Sequence, residues 1–207
     1  MRIVGLTGGT GAGKSSAASR FTSHGIPVVD ADKIGHALIE PGGAAVSDVL
    51  AAFGEGIAAY GKIDRGRLGT LVFGNEAALQ RLNQIMQPRI AADIARQCAA
   101  FAEADALACI VDAALLGDGG SLEAWMDGLI LISSPIADRV ERLVTYRGTS
   151  REVAEQRIAA QVDPETKRHL ATWVVENTGS LDELHHKVDV IAAALLSEDG
   201  SIGHAEL

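Results

Sequence analysis

Residues 6–16 read LTGGTGAGKSS. Gly8, Gly13, Lys14 and Ser15 fill the fixed positions of the phosphate-binding pattern G-x-x-x-x-G-K-S. Glycines let the chain curl so that backbone N–H groups face inward, and a helix N-terminus behind them adds the positive end of its dipole. Lys14 can reach the β- and γ-phosphates of a nucleotide, and the Ser15 hydroxyl can hold Mg²⁺. The blander reading, a glycine-rich turn joining strand to helix, explains neither Lys14 nor Ser15.

Two acidic positions share this strand-end setting. Asp30 and Asp32 close the apolar stretch IPVVDAD at 26–32. A carboxylate there could take the proton of an attacking hydroxyl, and Asp32 could equally cap a helix opening near Lys33. Asp112 ends ALACIVD at 106–112. It reads as a Mg²⁺ contact, a substrate contact or a solvated strand-end carboxylate.

Residues 138–168 carry Arg139, Arg142, Arg147, Arg151, Arg157, Lys167 and Arg168 among six acids, a net charge of about +1 in a chain of −9. Such a segment could close over phosphates and neutralise charge in the transition state. A salt-bridged solvated helix face is the competing reading.

The elements that must position these groups follow from hydrophobic pattern. RIVGLT at 2–7, IPVVDAD, ALACIVD, GLILIS at 128–133 and TWVVEN at 172–177 read as five short buried strands. Helices are expected from Lys14 to His24, from Pro88 onward, from Pro135 and from Leu181 to Leu196. Ile90, Ile94, Cys98 and Phe101 share a face of the second; Ile136, Val140, Leu143 and Val144 form the buried face of the third, with Arg139 and Arg142 elsewhere. The result is an α/β fold, an open parallel sheet of about five strands with helices on both faces, binding ligands beyond the C-terminal strand ends. Residues 33–87, with turn signals EPGG, FGEG, YGK and FGN, read as short helices without evident strands, an inserted substrate-binding region. The polar stretch 197–207 is expected to be a flexible tail.

Composition narrows the class. With 207 residues the chain fits one domain carrying a modest insertion. A pI near 5.1 argues against general nucleic-acid binding. Cys98 and Cys109 form no metal or redox motif. The first apolar run is too short for a signal peptide, and no stretch approaches a membrane span, so a cytoplasmic protein is expected.

These pieces together resemble the dephospho-coenzyme A kinase family. The likeness runs over about residues 2–190, through GLTGGTGAGKS, VVDAD, PGG, AFG, GKIDRGRLGTLVFGN, LNQI, VDAALL, RLVTYRG, RIAAQ and ENTGSLDEL in that order. It implies a P-loop kinase that uses ATP and Mg²⁺ to phosphorylate the ribose 3′-hydroxyl of dephospho-CoA. Asp32 would be the base and Lys14 and Arg147 would act on the transferring phosphoryl group. Gly9, Gly11, Ala12, Gly13, Lys14, Ser15, Ser16, Arg142 and Asn177 would bind ATP, with Asn177 near the adenine. Asp32, Asp112, Leu115 and Gln87 would meet the acceptor, residues 33–87 would receive the CoA moiety, and 142–168 would form the lid. Three positions depart from the family pattern: Gln87 stands where His precedes Pro, Ala114 where Pro follows the third strand, and Asp118 where Glu is usual. All lie on the acceptor side. They keep open another small-molecule or nucleoside kinase, or a nucleotide-binding regulator without turnover.

Overall fold

The computed structural model describes residues 1–114, 116–117, 120–197 and 205–207. Leu115 and Asp118 therefore lie outside the described residues, as does 198–204 of the expected tail. The chain divides into two compact units, one made of Met1–Val29 with Ala100–Leu207, the other of Asp30–Ala99.

The first unit is built on a six-stranded sheet. Its strands are β1 (Arg2–Gly8), β2 (Val28–Asp30), β5 (Ala108–Asp112), β6 (Gly128–Ser133), β7 (Trp173–Glu176) and β8 (Ala205–Glu206), in spatial order β2-β5-β1-β6-β7-β8. β1 pairs in parallel with β5 and β6, β6 with β7, and β7 with β8. Alternation along the strands sends Val4, Leu6, Ile130, Ile132 and Val175 to one face. There they meet Phe21 of α1 (Lys14–Ser23) and Leu184, Val188, Ile191 and Leu195 of α8 (Leu181–Leu196). Leu131 and Val174 point to the other face with Ala171. The spacing of the α8 residues gives it a core-facing stripe, and its start is set by a capping box between Ser180 and Glu183.

β8 adds a sixth strand to the about five expected and gives residues 205–207 of the expected tail a place on the sheet. Ala205 donates its N–H to the Thr172 carbonyl at 3.0 Å and Leu207 donates to Val174 at 2.9 Å. A polar two-residue strand carries no hydrophobic signal, so only the exposed edge of β7 reveals it. The remaining helices of this unit are α6 (Ile136–Arg147) and α7 (Arg151–Ala159), followed by the 3₁₀ turn Pro164–Leu170. α6 and α7 close on Val140, Leu143, Ala154 and Ile158. The buried face of α6 is not the expected one: Ile136 is exposed and Arg139 is buried with Val140 and Leu143.

The second unit holds α2 (Ala31–Ile39), α3 (Val46–Phe53), the strands β3 (Ala58–Ala59) and β4 (Lys62–Ile63), α4 (Arg65–Val72) and most of α5 (Glu76–Glu103). Its core is Ala45, Val49, Ile57, Ile63, Leu68 and Met86. β3 and β4 form a small antiparallel hairpin where no strand was expected. Tyr60 and Gly61 turn it, both at positive φ, the conformation that matches strand twist in a two-residue turn. Pro88 does not open a helix but sits inside α5. It lacks the N–H of a regular turn, and in the same turn the Arg89 side chain donates to the Ile85 carbonyl at 2.7 Å. Because α5 continues through Pro88, the inserted region is Asp30–Ala99, wider than 33–87. No helix among the described residues is long and apolar enough to cross a membrane.

Across α1 and α8, Asp189 accepts two hydrogen bonds from Arg20, at 2.6 and 2.8 Å, and lies 2.7 Å from His24 Nε2. Bonding to Arg20, then to His24, holds its carboxyl well below the usual range. A lowered carboxyl contributes stability above the unfolded-state value, about 3.9, and loses it as pH falls below that. Asp189→Asn should therefore lower the thermal midpoint by a few degrees at neutral pH, the pair being partly exposed. In thermal melts against pH that deficit should shrink steadily from about pH 4 downward; a deficit independent of pH would refute the assignment.

Candidate active site

The C-terminal ends of β1, β5, β6 and β7 gather the groups singled out in the first unit. After β1 the chain turns through Gly9–Gly13, closed by the Ala12 N–H donating to the Gly9 carbonyl at 3.0 Å. α1 begins on Gly13 at φ 108° with no side chain capping its first N–H groups, so they stay available to an anion. Gly11, at φ 80°, makes the other left-handed turn that residues with a Cβ rarely adopt.

If the N–H groups of this loop face a phosphate, its carbonyls must face the protein, and each needs a donor. The structure supplies them. Arg139 Nε donates to the Thr10 carbonyl at 2.9 Å. Arg142 Nη1 lies 3.5 Å from the Gly11 carbonyl, at the limit of a hydrogen bond. Asn177 Nδ2 donates to the Ala12 carbonyl at 2.7 Å. The glycines make this bracing possible. A Cβ on Gly9 would lie 2.3 Å from Arg139 Nη2, and one on Gly13 would lie 2.4 Å from Asn177 Nδ2.

Lys14 Nζ sits 3.6 Å from Asp112 Oδ1, both largely shielded. Ser15 is exposed at the start of α1, and Ser16 is half-buried. The Ser15 hydroxyl and the Asp112 carboxylate are hard oxygen donors, suited to Mg²⁺ beside phosphate oxygens. Arg142 also donates to Ser134 Oγ and to the Asn177 carbonyl, both at 2.8 Å.

Asp32 lies in the first turn of α2, exposed. The capping alternative for it is ruled out: the cap is Asp30, whose carboxylate accepts from the Lys33 N–H at 2.9 Å. Burial works to raise the Asp30 carboxyl, but its bonds to Lys33 outweigh that and leave it lowered. Asp32 makes no side-chain hydrogen bond or ion pair among the described residues. Gln87 is exposed on α5. Asp32 and Gln87 belong to the second unit.

The cationic segment divides by partner. Arg151 pairs with Glu141, and Arg168 with Glu165, Glu176 and Glu206. Lys167 is buried and donates to the Ala114 carbonyl at 2.8 Å. Arg139 and Arg142 brace the loop. Arg147, ending α6, and Arg157 are exposed and have no partner among the described residues. Sequence reasoning named Arg139 only as one cation of the 138–168 segment and set it off the buried face of its helix, so its burial was missed. Its phase gave the signal, since it lies beside Val140 and one turn before Leu143.

This is a nucleotide-phosphate cradle with a lysine, a hydroxyl and a carboxylate at its mouth. The family model for dephospho-CoA kinase matches residues 2–183. The chain belongs to the dephospho-CoA kinase family. A dephospho-CoA kinase from Thermobifida fusca is 37% identical over 189 residues, covering 91% of this chain and 93% of the relative. One from Leifsonia xyli subsp. xyli is 38% identical over 197 residues, covering 94% and 99%. The crystal structure of TT1252 from Thermus thermophilus matches with a TM-score of 0.80 at 31% identity, over 95% of this chain and 98% of that one. Dephospho-CoA kinases are phosphotransferases with ATP as donor, and the cradle has the chemistry that the donor requires.

Asn177→Ala would orphan the buried Ala12 carbonyl, a loss of ~1–3 kcal/mol. ATP affinity should fall roughly tenfold as the loop relaxes. Titration calorimetry checks this, and an unchanged Kd would remove Asn177 from the cradle.

Proposed function

We propose that this chain transfers the γ-phosphoryl group of ATP to the ribose 3′-hydroxyl of dephospho-CoA, giving CoA and ADP. The observation that carries the reading is membership of the dephospho-CoA kinase family across residues 2–183, with Lys14 and Ser15 standing on a braced phosphate loop. The N–H groups of Gly11, Gly13, Lys14 and Ser15 hold the β-phosphate, those of Ala12 and Ser16 being given to the loop itself. Lys14 leaves Asp112 for the β,γ region, where charge grows as the bond to the leaving oxygen stretches. Ser15 would hold a Mg²⁺ ion, which would supply further neutralisation of the phosphate oxygens.

Asp32 takes the proton of the attacking hydroxyl. Its exposure and lack of a described partner support this, because a base must be uncommitted before substrate arrives. Arg147 meets the γ-phosphoryl oxygens when 142–168 closes as a lid, which also excludes water as a competing acceptor. Its exposure fits a group whose partner comes with the substrate. Asp112, Leu115 and Gln87 contact the acceptor, and the second unit receives the CoA moiety. Asn177 serves the adenine end by holding the loop in place, since its side chain, N–H and carbonyl are all engaged by Ala12, Ser133 and Arg142. The protein works in the cytoplasm, where its buried thiols Cys98 and Cys109 stay reduced.

A coupled ADP-release assay with and without dephospho-CoA tests the reading. Release should depend on dephospho-CoA. ADP formed only with a nucleoside acceptor would redirect the assignment, and binding of both substrates without turnover would make the chain a regulator. Asp32→Asn should lower kcat by roughly 100-fold or more while KM for ATP stays near wild type; unchanged kcat refutes the base role. Lys14→Ala should cut kcat/KM for ATP by a similar factor, and a near-normal value would refute its role in transfer.

A further inference from the structure

Thr10 has no place in the chemistry above, yet its backbone is held on both sides. Its carbonyl accepts from Arg139 Nε at 2.9 Å, and its N–H donates to Gln161 Oε1 at 2.8 Å. Arg139 Nη2 lies 3.4 Å from the same Gln161 oxygen. The three residues thus close a ring: one loop residue, one cation from α6 and one amide that follows α7. Gln161 is half-buried and Arg139 buried. Its buried guanidinium makes no ion pair among the described residues. Burial lowers its pKa, and the charges of Asp163 and Glu165 act against that. Arg139 remains a cation at any working pH, for guanidinium does not deprotonate in proteins.

A buried cation beside an anion cradle serves two ends. It holds the loop carbonyl outward, and its charge acts on the bound phosphates through a poorly screened interior. A guanidinium left loose would forfeit both. Gln161 is suited to pin it, because one amide oxygen can accept from the cation and from the loop N–H together. The pin also fixes the chain just after α7 to the phosphate loop, so this segment is anchored two residues beyond the end of its second helix.

We propose that Gln161 and Arg139 are positioning residues of the donor site: Gln161 fastens the end of the lid segment to Thr10 and orients Arg139 beneath the phosphate loop, setting affinity for the ATP phosphates. The inference rests on the kinase reading for its substrate, but not on the acceptor.

The chemistry of the pin is that of an acceptor, which separates it from mere filling of space. Gln161→Met keeps length and removes the acceptor; Gln161→Glu keeps the acceptor. KM for ATP should rise about tenfold in Gln161→Met, the effect of losing a hydrogen bond to a charged group. KM for dephospho-CoA should stay within about twofold, and Gln161→Glu should restore KM for ATP to within about threefold. A structural defect alone would lower the active fraction without this split or this rescue. The Kd for AMP-PNP with Mg²⁺, by titration calorimetry, should follow the same order. Equal Kd values for wild type and Gln161→Met, or equal losses in Met and Glu, overturn the proposal. If Gln161→Met does not fold, Arg139→Lys carries the test, since it keeps the charge and loses the Nε bond to Thr10. It should weaken AMP-PNP, and unchanged affinity overturns the proposal. The readings fail separately: a wild type that makes no CoA, with AMP-PNP binding still weakened by Gln161→Met, removes the acceptor assignment and leaves the pin.

Discussion

A backbone that offers its N–H groups to a phosphate must turn its carbonyls the other way. Those carbonyls then enter the protein, where an unmet acceptor costs ~1–3 kcal/mol. Thr10, Gly11 and Ala12 present this problem in succession, and Arg139, Arg142 and Asn177 answer it. Much of the first unit serves that answer. β6 ends where α6 can deliver two arginines, and β7 ends where Asn177 reaches under the loop. The Asn177 N–H donates to the Ser133 carbonyl at 2.8 Å, which ties the ends of β6 and β7 together behind the cradle.

Charge follows the same division of labour. An acidic chain handles a polyanion by placing cations locally, so what each cation touches matters more than their sum. Arg139 spends its Nε bond on the loop, and Arg142 lies at its edge while bonding Ser134 and the Asn177 carbonyl behind it. Arg168 joins the 3₁₀ turn, β7 and the edge strand β8 through three carboxylates. Arg147 and Arg157 remain uncommitted among the described residues. The salt-bridged-face reading of this segment therefore holds for Arg151 and Arg168 but not for all of its cations.

Legibility varied with the kind of signal. Buried parallel strands such as GLILIS announce themselves by continuous apolar runs, and α8 by its cap and stripe, so their places were readable to within a residue or two. The hairpin at Ala58–Ile63 and the strand Ala205–Glu206 were not, because two-residue strands are defined by backbone partners rather than by side chains. Pro88 misled because proline at a helix start is commoner than proline inside one. In the first unit, the pairing of Lys14 beside Asp112 could be anticipated from motif and strand end. Arg139 and Gln161 were not, since a polar residue reads as solvent-facing until something shows what it bonds.

The sequence alone determined the phosphate loop, the α/β class and, through the order of its motifs, the family. These depend on local chemistry: glycine at strained turns, a lysine and hydroxyl at a helix start, apolar runs that must be buried. Only the tertiary structure decided which carboxylate of Asp30 and Asp32 is spent on a helix cap, and which arginines reach the loop rather than pair with carboxylates. Those choices rest on hydrogen bonds between residues as far apart as Ala12 and Asn177, and such pairings are set by the packing of the sheet.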